Sequence, residues 1–419
     1  VSPRATRLPA IRYRPARRTD VETLAELGSR TYRVASVEKR REFYTDHPRF
    51  TLRDVRVIEL EGEVVASLVL YPFEAYVRGQ RVPVAGVGSV AVSPEHRRRG
   101  VGEAAMRAAL RELRQRGSHL SMLYPFRGSY YRKLGYGVVE HLFQLAVAAS
   151  NLPLADESRR VRRLMLPDRA AVEALYERMA EHGHFAFVRR PDWWTRRLWS
   201  YPGDWVVYEG RRRGQIEGYL YYEVENSRGP FRLAISLTEF VATSAEAHRG
   251  LVGHLASLRD QVEEIHHAAP NDAGWATVLR TAQNLRPGAE IGPFNDTGGI
   301  ATGAMMRITD VKGALELMPV SPAARGEVLI EVEDRVLPVN ARTYRVTARD
   351  GRLRVAPESS RRLPRLSVPV DVLAPIVTGT LSPQRAAEMG LISSTGGADE
   401  IIEPWFHARP VHLFQFNAF

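Results

Sequence analysis

The stretch Val87-Gly88-Ser89-Val90-Ala91-Val92-Ser93-Pro94-Glu95-His96-Arg97-Arg98-Arg99-Gly100-Val101-Gly102 decides the reading of this chain. Val82 to Val92 is rich in β-branched residues and reads as a strand, and from about Val101 to Arg116 the apolar residues recur at helical spacing. Between them lies Arg97-Arg98-Arg99-Gly100. Unpaired N–H groups and the dipole at a helix N-terminus both favour an anion, glycine lets the anion approach the backbone, and arginine adds a permanent forked cation. The loop reads as a phosphate site, with an ordinary exposed helix start and solvated charges as the plain alternative. It lacks the Gly-Lys-Ser/Thr ending of a P-loop and the three spaced glycines of a dinucleotide-binding turn.

On the N-terminal side, Pro15 to Tyr44 reads as helical, starting near Thr19 or Asp20 and carrying Val21, Leu24, Ala25 and Leu27 on its apolar face. Val55 to Glu59 and Val64 to Tyr71 read as strands joined by the turn residues Glu61 and Gly62. On the C-terminal side a short apolar run spans Leu120 to Tyr124. This alternation predicts an α+β (mixed α/β) domain built on a mixed sheet.

Near Ser150 to Arg163 the pattern dissolves into polar, arginine-rich sequence, and a second block then begins. Within it, Leu237 to Leu258 echoes Gly88 to Leu110: strand, serine, acidic residue, histidine, Arg-Gly, then an apolar helix. The echo predicts a duplicated domain whose second copy has lost the arginine run and one loop residue. A third region opens around Ala304 to Thr309, with strand-like runs at Val328 to Glu333, Thr343 to Ala348 and Leu353 to Ala356, a helix near Val370 to Val377 and another after Ser382. Boundaries are expected near 148 and 303, giving domains 1–148, 149–302 and 303–419. The last of these ends in an aromatic tail holding Trp405, Phe406, Phe414, Phe416 and Phe419.

At 419 residues the chain exceeds the usual size of one core, which agrees with several domains. It has no cysteine, so disulfides, thiolate metal sites and a cysteine nucleophile are excluded. No apolar run approaches the ~18 residues of a membrane helix, and no signal-peptide-like block is seen, so the expectation is a cytoplasmic protein without membrane contact. The net charge of +11 comes almost wholly from arginine, lysine occurring only at Lys39, Lys133 and Lys312. Clusters at Arg97 to Arg99, Arg159 to Arg163 and Arg211 to Arg213 are not interleaved with aromatic residues, which argues for solvated faces or a phosphate-bearing cofactor over a nucleic acid. Neither His266 with His267 nor His407 with His412 has the spacing and carboxylate partners of a recognisable metal site, so no metal is expected. His96 reads as part of the loop surface.

A second motif follows the loop: Gly128-Ser129-Tyr130-Tyr131-Arg132-Lys133-Leu134-Gly135-Tyr136-Gly137. An R-x-x-G-x-G loop between a V-x-V strand and a helix resembles the acetyl-CoA pyrophosphate loop of the GCN5-related N-acetyltransferases, and the second segment resembles their Tyr-x-x-x-Gly-aromatic motif. The resemblance assigns the backbone of Val90, Ala91 and Val92 to the pantetheine arm of acetyl-CoA. It assigns Arg98, Arg99, Gly100, Val101 and Gly102 to the pyrophosphate, with Arg97 and Glu103 completing the set and Phe126 and Arg127 flanking the cofactor. Tyr131 then protonates the departing thiolate, a match of a phenol with a pKa of about 10 to a thiol leaving group.

Across nearly its whole length the chain resembles the Eis (enhanced intracellular survival) family, most specifically at VAVSPEHRRRG, YYRKLGYG and AMMRITDV. This implies two tandem acetyltransferase-like domains, the second degenerate, and a sterol-carrier-protein-like third domain. It also implies a homohexamer and a C-terminal carboxylate, here that of Phe419, acting as general base on a small-molecule or peptide amine. The resemblance departs at Ala418, where relatives carry an acidic residue that helps hold polycationic aminoglycosides. A different acceptor amine is therefore expected. Two other readings compete: a lipid carrier using the third region, and a nucleic-acid binder suggested by charge alone.

Overall fold

Short apolar runs separated by turn residues fold into three sheets in the computed structural model, which describes residues 11–33, 35–212, 214–226, 233–280, 298–357 and 362–419. Arg213, the end of one basic cluster, lies outside the described residues. The first third of the chain supplies β1 (Ile11–Pro15), β2 (Val55–Leu60), β3 (Glu63–Val77), β4 (Gln80–Val92), β5 (Leu120–Leu123) and β6 (Gly137–Val138). There follow β7 (His141–Ala148), β8 (Val161–Arg163), β9 (His184–Phe187), β10 (Asp204–Glu209), β11 (Ile216–Asn226), β12 (Leu233–Ala242), β13 (Val262–Pro270), β14 (Gly298–Thr302) and β15 (Met305–Ile308).

The first sheet has the order β1-β2-β3-β4-β5-β15-β6, with β9 added to β3, and the second has the order β14-β7-β13-β12-β11-β10-β8. The first sheet thus takes β9 and β15, and the second takes β7, from the far side of an expected boundary. β15, assigned from sequence to the opening of the third domain, pairs with β5 and β6 of the first sheet. β7, assigned to the first domain, pairs with β13 and β14 of the second. The boundaries at 148 and 303 are corrected in this respect. An alternating apolar run announces a strand but does not name its neighbour, so the exchange has no local signature.

The predicted helix over residues 15 to 44 divides into α1 (Val21–Tyr32) and α2 (Val37–Thr45). Arg33 closes α1 in the left-handed region (φ 53°), and the Ser36 hydroxyl caps α2 by accepting from the Lys39 amide at 3.4 Å. The hairpin between β2 and β3 turns on Glu61 and Gly62, both at positive φ. After β4 comes α3 (Val101–Gln115), which buries Val101, Ala105, Met106, Ala109, Leu110 and Leu113 against the first sheet. Full burial of each larger side chain in that stripe contributes ~1.5–3 kcal/mol. The short α4 (Gly128–Arg132) follows β5.

In the second unit α5 (Arg169–Glu181) covers one face of the second sheet, α6 (Pro191–Arg196) follows β9, α7 (Ala245–Ser257) follows β12, and α8 (Trp275–Val278) follows β13. The third unit is a smaller sheet, β16 (Gly326–Glu333), β17 (Thr343–Arg349), β18 (Arg352–Pro357), β19 (Arg365–Pro369) and β20 (Ser393–Thr395), in the order β18-β17-β16-β19-β20. Helices Val370–Val377 and Ala398–Phe406 pack on it, and Val328, Ile330, Leu373, Ile376 and Trp405 fill its interior with no exposed surface. Among the described residues no helix is long and apolar enough to cross a membrane.

Candidate active site

The site forms where β4 leaves β5. The two strands are parallel neighbours only at Ala85 with Ser121 and Gly86 with Met122, and beyond Gly86 they part. Opposite β3, β4 also carries an extra residue: Ser67 faces Ala91 while Val69 faces Gly88. Ser89, in this bulge, has φ 49°. Such a bulge turns backbone groups out of the ladder, and the Tyr32 hydroxyl of α1 donates to the Val90 carbonyl at 2.9 Å to hold it.

The loop after β4 is closed by local contacts. The Ser93 hydroxyl and His96 Nδ1 lie 2.8 Å apart, Arg97 Nε donates to the Val92 carbonyl at 3.2 Å, and Arg30 pairs with Glu95. Arg98 and Gly100 take positive φ, 59° and 81°, and Gly100 is the N-cap of α3, a left-handed position that glycine adopts without strain. The ladder of α3 opens with the Ala104 amide donating to the Gly100 carbonyl at 2.9 Å, so the amides of Val101, Gly102 and Glu103 have no helical carbonyl to meet. With the helix dipole behind them, these donors suit a phosphate group.

A cavity of about 690 Å³ runs from this loop into the cleft between the parted strands. That volume lies in the range of small-molecule sites, ~300–1,000 Å³. Of the residues named from sequence, Val90, Val92, Arg97, Arg98, Gly100, Val101, Gly102, Glu103, Phe126, Tyr131 and Phe419 line it. Ala91 does not, because its side chain is buried in the sheet. Arg99 and Arg127 are also outside the lining, both exposed to solvent. Sequence reasoning missed Thr31, Tyr32, Val87, Gly88, Ser89, Tyr124 and Tyr130 as lining residues. Thr31 and Tyr32 come from α1, far away along the chain, and no local pattern marks them.

Tyr131 is buried in α4 among aromatic rings, edge-on to Tyr130 at 5.0 Å and to Phe126 at 5.5 Å between centroids. Burial, and then the neighbouring Tyr130, Tyr136 and Tyr32 hydroxyls, raise its pKa well above the ordinary phenol value. It therefore keeps its proton at neutral pH and faces the cleft as a hydrogen-bond and proton donor.

Phe419 reaches the same cavity from the far end of the chain. Its ring meets Phe73 at 4.9 Å, Tyr71 at 5.3 Å and Tyr124 at 5.7 Å, all edge-on. Two glycines of β4 make room for it. A Cβ at Gly86 would lie 2.6 Å from the Phe73 ring and 2.8 Å from the Phe419 ring, and one at Gly88 would lie 3.2 Å from the Phe419 carboxyl carbon. Gly86→Ala is therefore expected to displace Phe419 and to cost about 1–3 kcal/mol of overpacking. A thermal melt and an acetyl-transfer assay check this; unchanged values in both would mean that the ring is free to move aside.

Arg49 holds the backbone next to Phe419, its guanidinium donating to the Asn417 carbonyl at 3.0 Å and the Ala418 carbonyl at 2.6 Å. It stacks on Trp193 of α6 at 3.7 Å. Burial lowers its pKa to about 10, so it remains cationic at neutral pH. Burial and the cations of Arg49, Arg197 and Arg196 also push neighbouring His47 down to about 3. Among the described residues no group of three or more His, Cys, Asp or Glu side chains could hold a metal.

In the second unit the corresponding loop has become helix. Residues 93–100 separate β4 from α3, but only residues 243–244 separate β12 from α7, whose first turn is capped by Ser244 accepting from the Ala247 amide at 3.1 Å. Arg249 is paired with Glu157, and buried Trp275 fills the space beside β12 with Phe240 at 5.3 Å and His267 at 5.7 Å.

The fold and this cleft define an acetyltransferase. Residues 12–139 match the acetyltransferase (GNAT) domain family, residues 186–308 match a second acetyltransferase (GNAT) domain family, and residues 311–413 match the sterol carrier protein domain family. An uncharacterized N-acetyltransferase of Streptomyces avermitilis is 29% identical over 293 residues, 65% of this chain and 67% of that one. The N-acetyltransferase Eis of Mycobacterium tuberculosis is 29% identical over 218 residues, 49% of this chain and about half (52%) of its own. A GCN5-related N-acetyltransferase from Anabaena variabilis shares the fold at a TM-score of 0.83 with 21% identity, over 98% of this chain and 100% of the other. Eis1 from Mycobacterium abscessus does so at 0.75 with 24% identity, over 98% and 100%. The two acetyltransferase (GNAT) matches together cover more than half of the chain, which belongs to the GCN5-related N-acetyltransferases, enzymes that use acetyl-CoA, and is similar to the Eis proteins.

Proposed function

We propose that this acetyltransferase moves the acetyl group of acetyl-CoA directly to a primary amine, at one site per chain. The observation that carries the reading is the cavity that joins the bulge of β4, the Arg98–Gly100 loop, Tyr131 and Phe419. Val90 and Val92 would hold the pantetheine arm through the bulged backbone, and the amides of Val101, Gly102 and Glu103 with Arg97 and Arg98 would hold the pyrophosphate. Bound acetyl-CoA supplies a thioester carbonyl. The Phe419 carboxylate takes a proton from the substrate ammonium, the amine attacks the carbonyl, and Tyr131 protonates the leaving thiolate. The nitrogen, cationic after attack, gives its extra proton to the Tyr131 phenolate, and the proton held by the Phe419 carboxyl leaves to solvent, so that acetyl-CoA and an ammonium become an amide, free CoA thiol and one released proton.

The acceptor is a primary amine of a small molecule or peptide. Ala418 stands where the resemblance places an acidic residue, and the cation of Arg49 donates to its carbonyl, which disfavours polycationic aminoglycosides. Assaying aminoglycosides, polyamines and lysine-containing peptides for release of CoA thiol discriminates among these acceptors. We further infer a cytoplasmic homohexamer from the family resemblance. A lipid-carrier role draws only on the family of the third unit, whose filled interior argues against it; fold alone does not carry function.

Acetyl-CoA binding should raise the melting temperature, because a ligand present at a hundred times its Kd adds ~2.7 kcal/mol. A calorimetric scan with saturating acetyl-CoA measures this, and no shift would refute the cofactor site.

A further inference from the structure

The degenerate second unit retains one piece of the cofactor-site architecture. β12 carries an irregularity against β11, where Tyr221 faces Glu239 but Tyr222 faces Leu237. It lies in the place that the bulge of β4 occupies in the first unit. Glu239 stands as far before Arg249-Gly250 as Ser89 stands before Arg99-Gly100, and by ladder register Tyr221 of β11 takes the place of Val69, two residues before Tyr71 on the same face of β3.

In place of an outward-facing bulge, the second unit has a buried charge pair. Arg189, one residue removed from β9, and Glu239 are buried and bonded through both guanidinium nitrogens, one contact measuring 3.1 Å. Tyr219 also donates to Glu239 at 2.9 Å. The third guanidinium nitrogen, Nε, donates to the side-chain oxygen of Asn417 at 2.8 Å. Asn417, itself 2% exposed, donates from its amide nitrogen to the Tyr176 hydroxyl at 2.9 Å and the Leu413 carbonyl at 2.5 Å. One residue earlier, the Phe416 ring packs on Tyr221 at 4.8 Å and stacks on Trp205 and Tyr201. Phe416 thus rests on Tyr221 as Phe419 rests on Tyr71.

We propose that the relict bulge of the second unit is the socket for the C-terminal tail, and that Arg189, Glu239 and Asn417 are positioning residues that aim the Phe419 carboxylate into the cleft of the first unit. The proposal rests on the reading of that carboxylate as base. A buried Arg–Glu pair adds little net stability compared with apolar packing, but its fixed fork leaves Nε as a directed donor, which the side-chain carbonyl of Asn417 meets. Only Ala418 lies between the anchored Asn417 and Phe419, so little slack is left between anchor and working end.

Two measurements on the full chain test the socket: the rate at which a carboxypeptidase releases Phe419, and steady-state acetyl transfer. Asn417→Ala should release Phe419 about tenfold faster and lower kcat about tenfold with KM for acetyl-CoA unchanged, as expected when a charge-assisted hydrogen bond is lost. Glu239→Gln should do the same; if it fails to fold, Asn417→Ala, whose side chain belongs to the tail, still decides. Unchanged release in Asn417→Ala would overturn the socket. Faster release with unchanged kcat would support the socket and reject the carboxylate as base. A rise in KM for acetyl-CoA matching the fall in kcat would overturn the positioning role in favour of general disruption of the cleft.

Discussion

Removal of Phe419 is expected to lower kcat by about a hundredfold or more while acetyl-CoA still raises the melting temperature, because loss of a general base costs ~10²–10⁴ in rate and the loop that faces phosphate is left intact. Truncation leaves a carboxylate on Ala418, one Cα step of about 3.8 Å away and in a residue exposed to solvent. Proton removal requires heavy atoms within ~3 Å or a single bridging water, so that step is too long. Adding residues after Phe419 should have the same effect for another reason: the carboxylate becomes a neutral amide. Comparing kcat of the truncated and extended chains with thermal shifts by CoA checks both arms. Full activity in either would rule out the carboxylate as base.

Tyr131→Phe should slow turnover by roughly a hundredfold, the contribution of a positioned acid, and barely alter CoA affinity, because the ring that packs against Phe126 and Tyr130 remains. The sign of the pH effect also follows from burial. Since the pKa of Tyr131 is raised in the folded protein, the acid stays protonated well past the ordinary phenol value of about 10, and activity should not decline through its ionisation at pH 8 or 9. A kcat profile to pH 9.5 measures this. A descending limb present in the natural chain and absent in Tyr131→Phe would mean that the hydroxyl ionises earlier. Equal losses of kcat and of CoA binding would make Tyr131 a packing residue.

Where the chemistry is local, the sequence was informative. The loop from Arg97 to Gly102 could be read because strand, glycine and helix start are contiguous, and because a helix N-terminus exposes donors whatever surrounds it. The hairpin at Glu61-Gly62 was legible for the same reason. Arg99 and Arg127, read from sequence as cofactor contacts, stand outside the cavity lining, since proximity along the chain does not say which way an exposed side chain turns. Tyr32 and Tyr124, which line the cleft, and Arg49, which holds the backbone beside Phe419, were missed because they come from different elements and none carries a motif. Asn417 looked like a spacer between aromatic residues; its bonds to Arg189 and Tyr176 exist only once the tail lies against the second unit.

The exchange of β7 and β15 bears on how this protein can be dissected. A fragment ending at residue 139 would lack β15, leaving β5 with its inner edge bare and Leu120 and Met122 without the neighbours Ile308 and Met306 that cover them. An uncovered apolar edge of that kind is a template for pairing with other chains. The acetyltransferase-like units are therefore welded at the level of their sheets, and an isolated first unit should behave as an aggregating half rather than as a small enzyme.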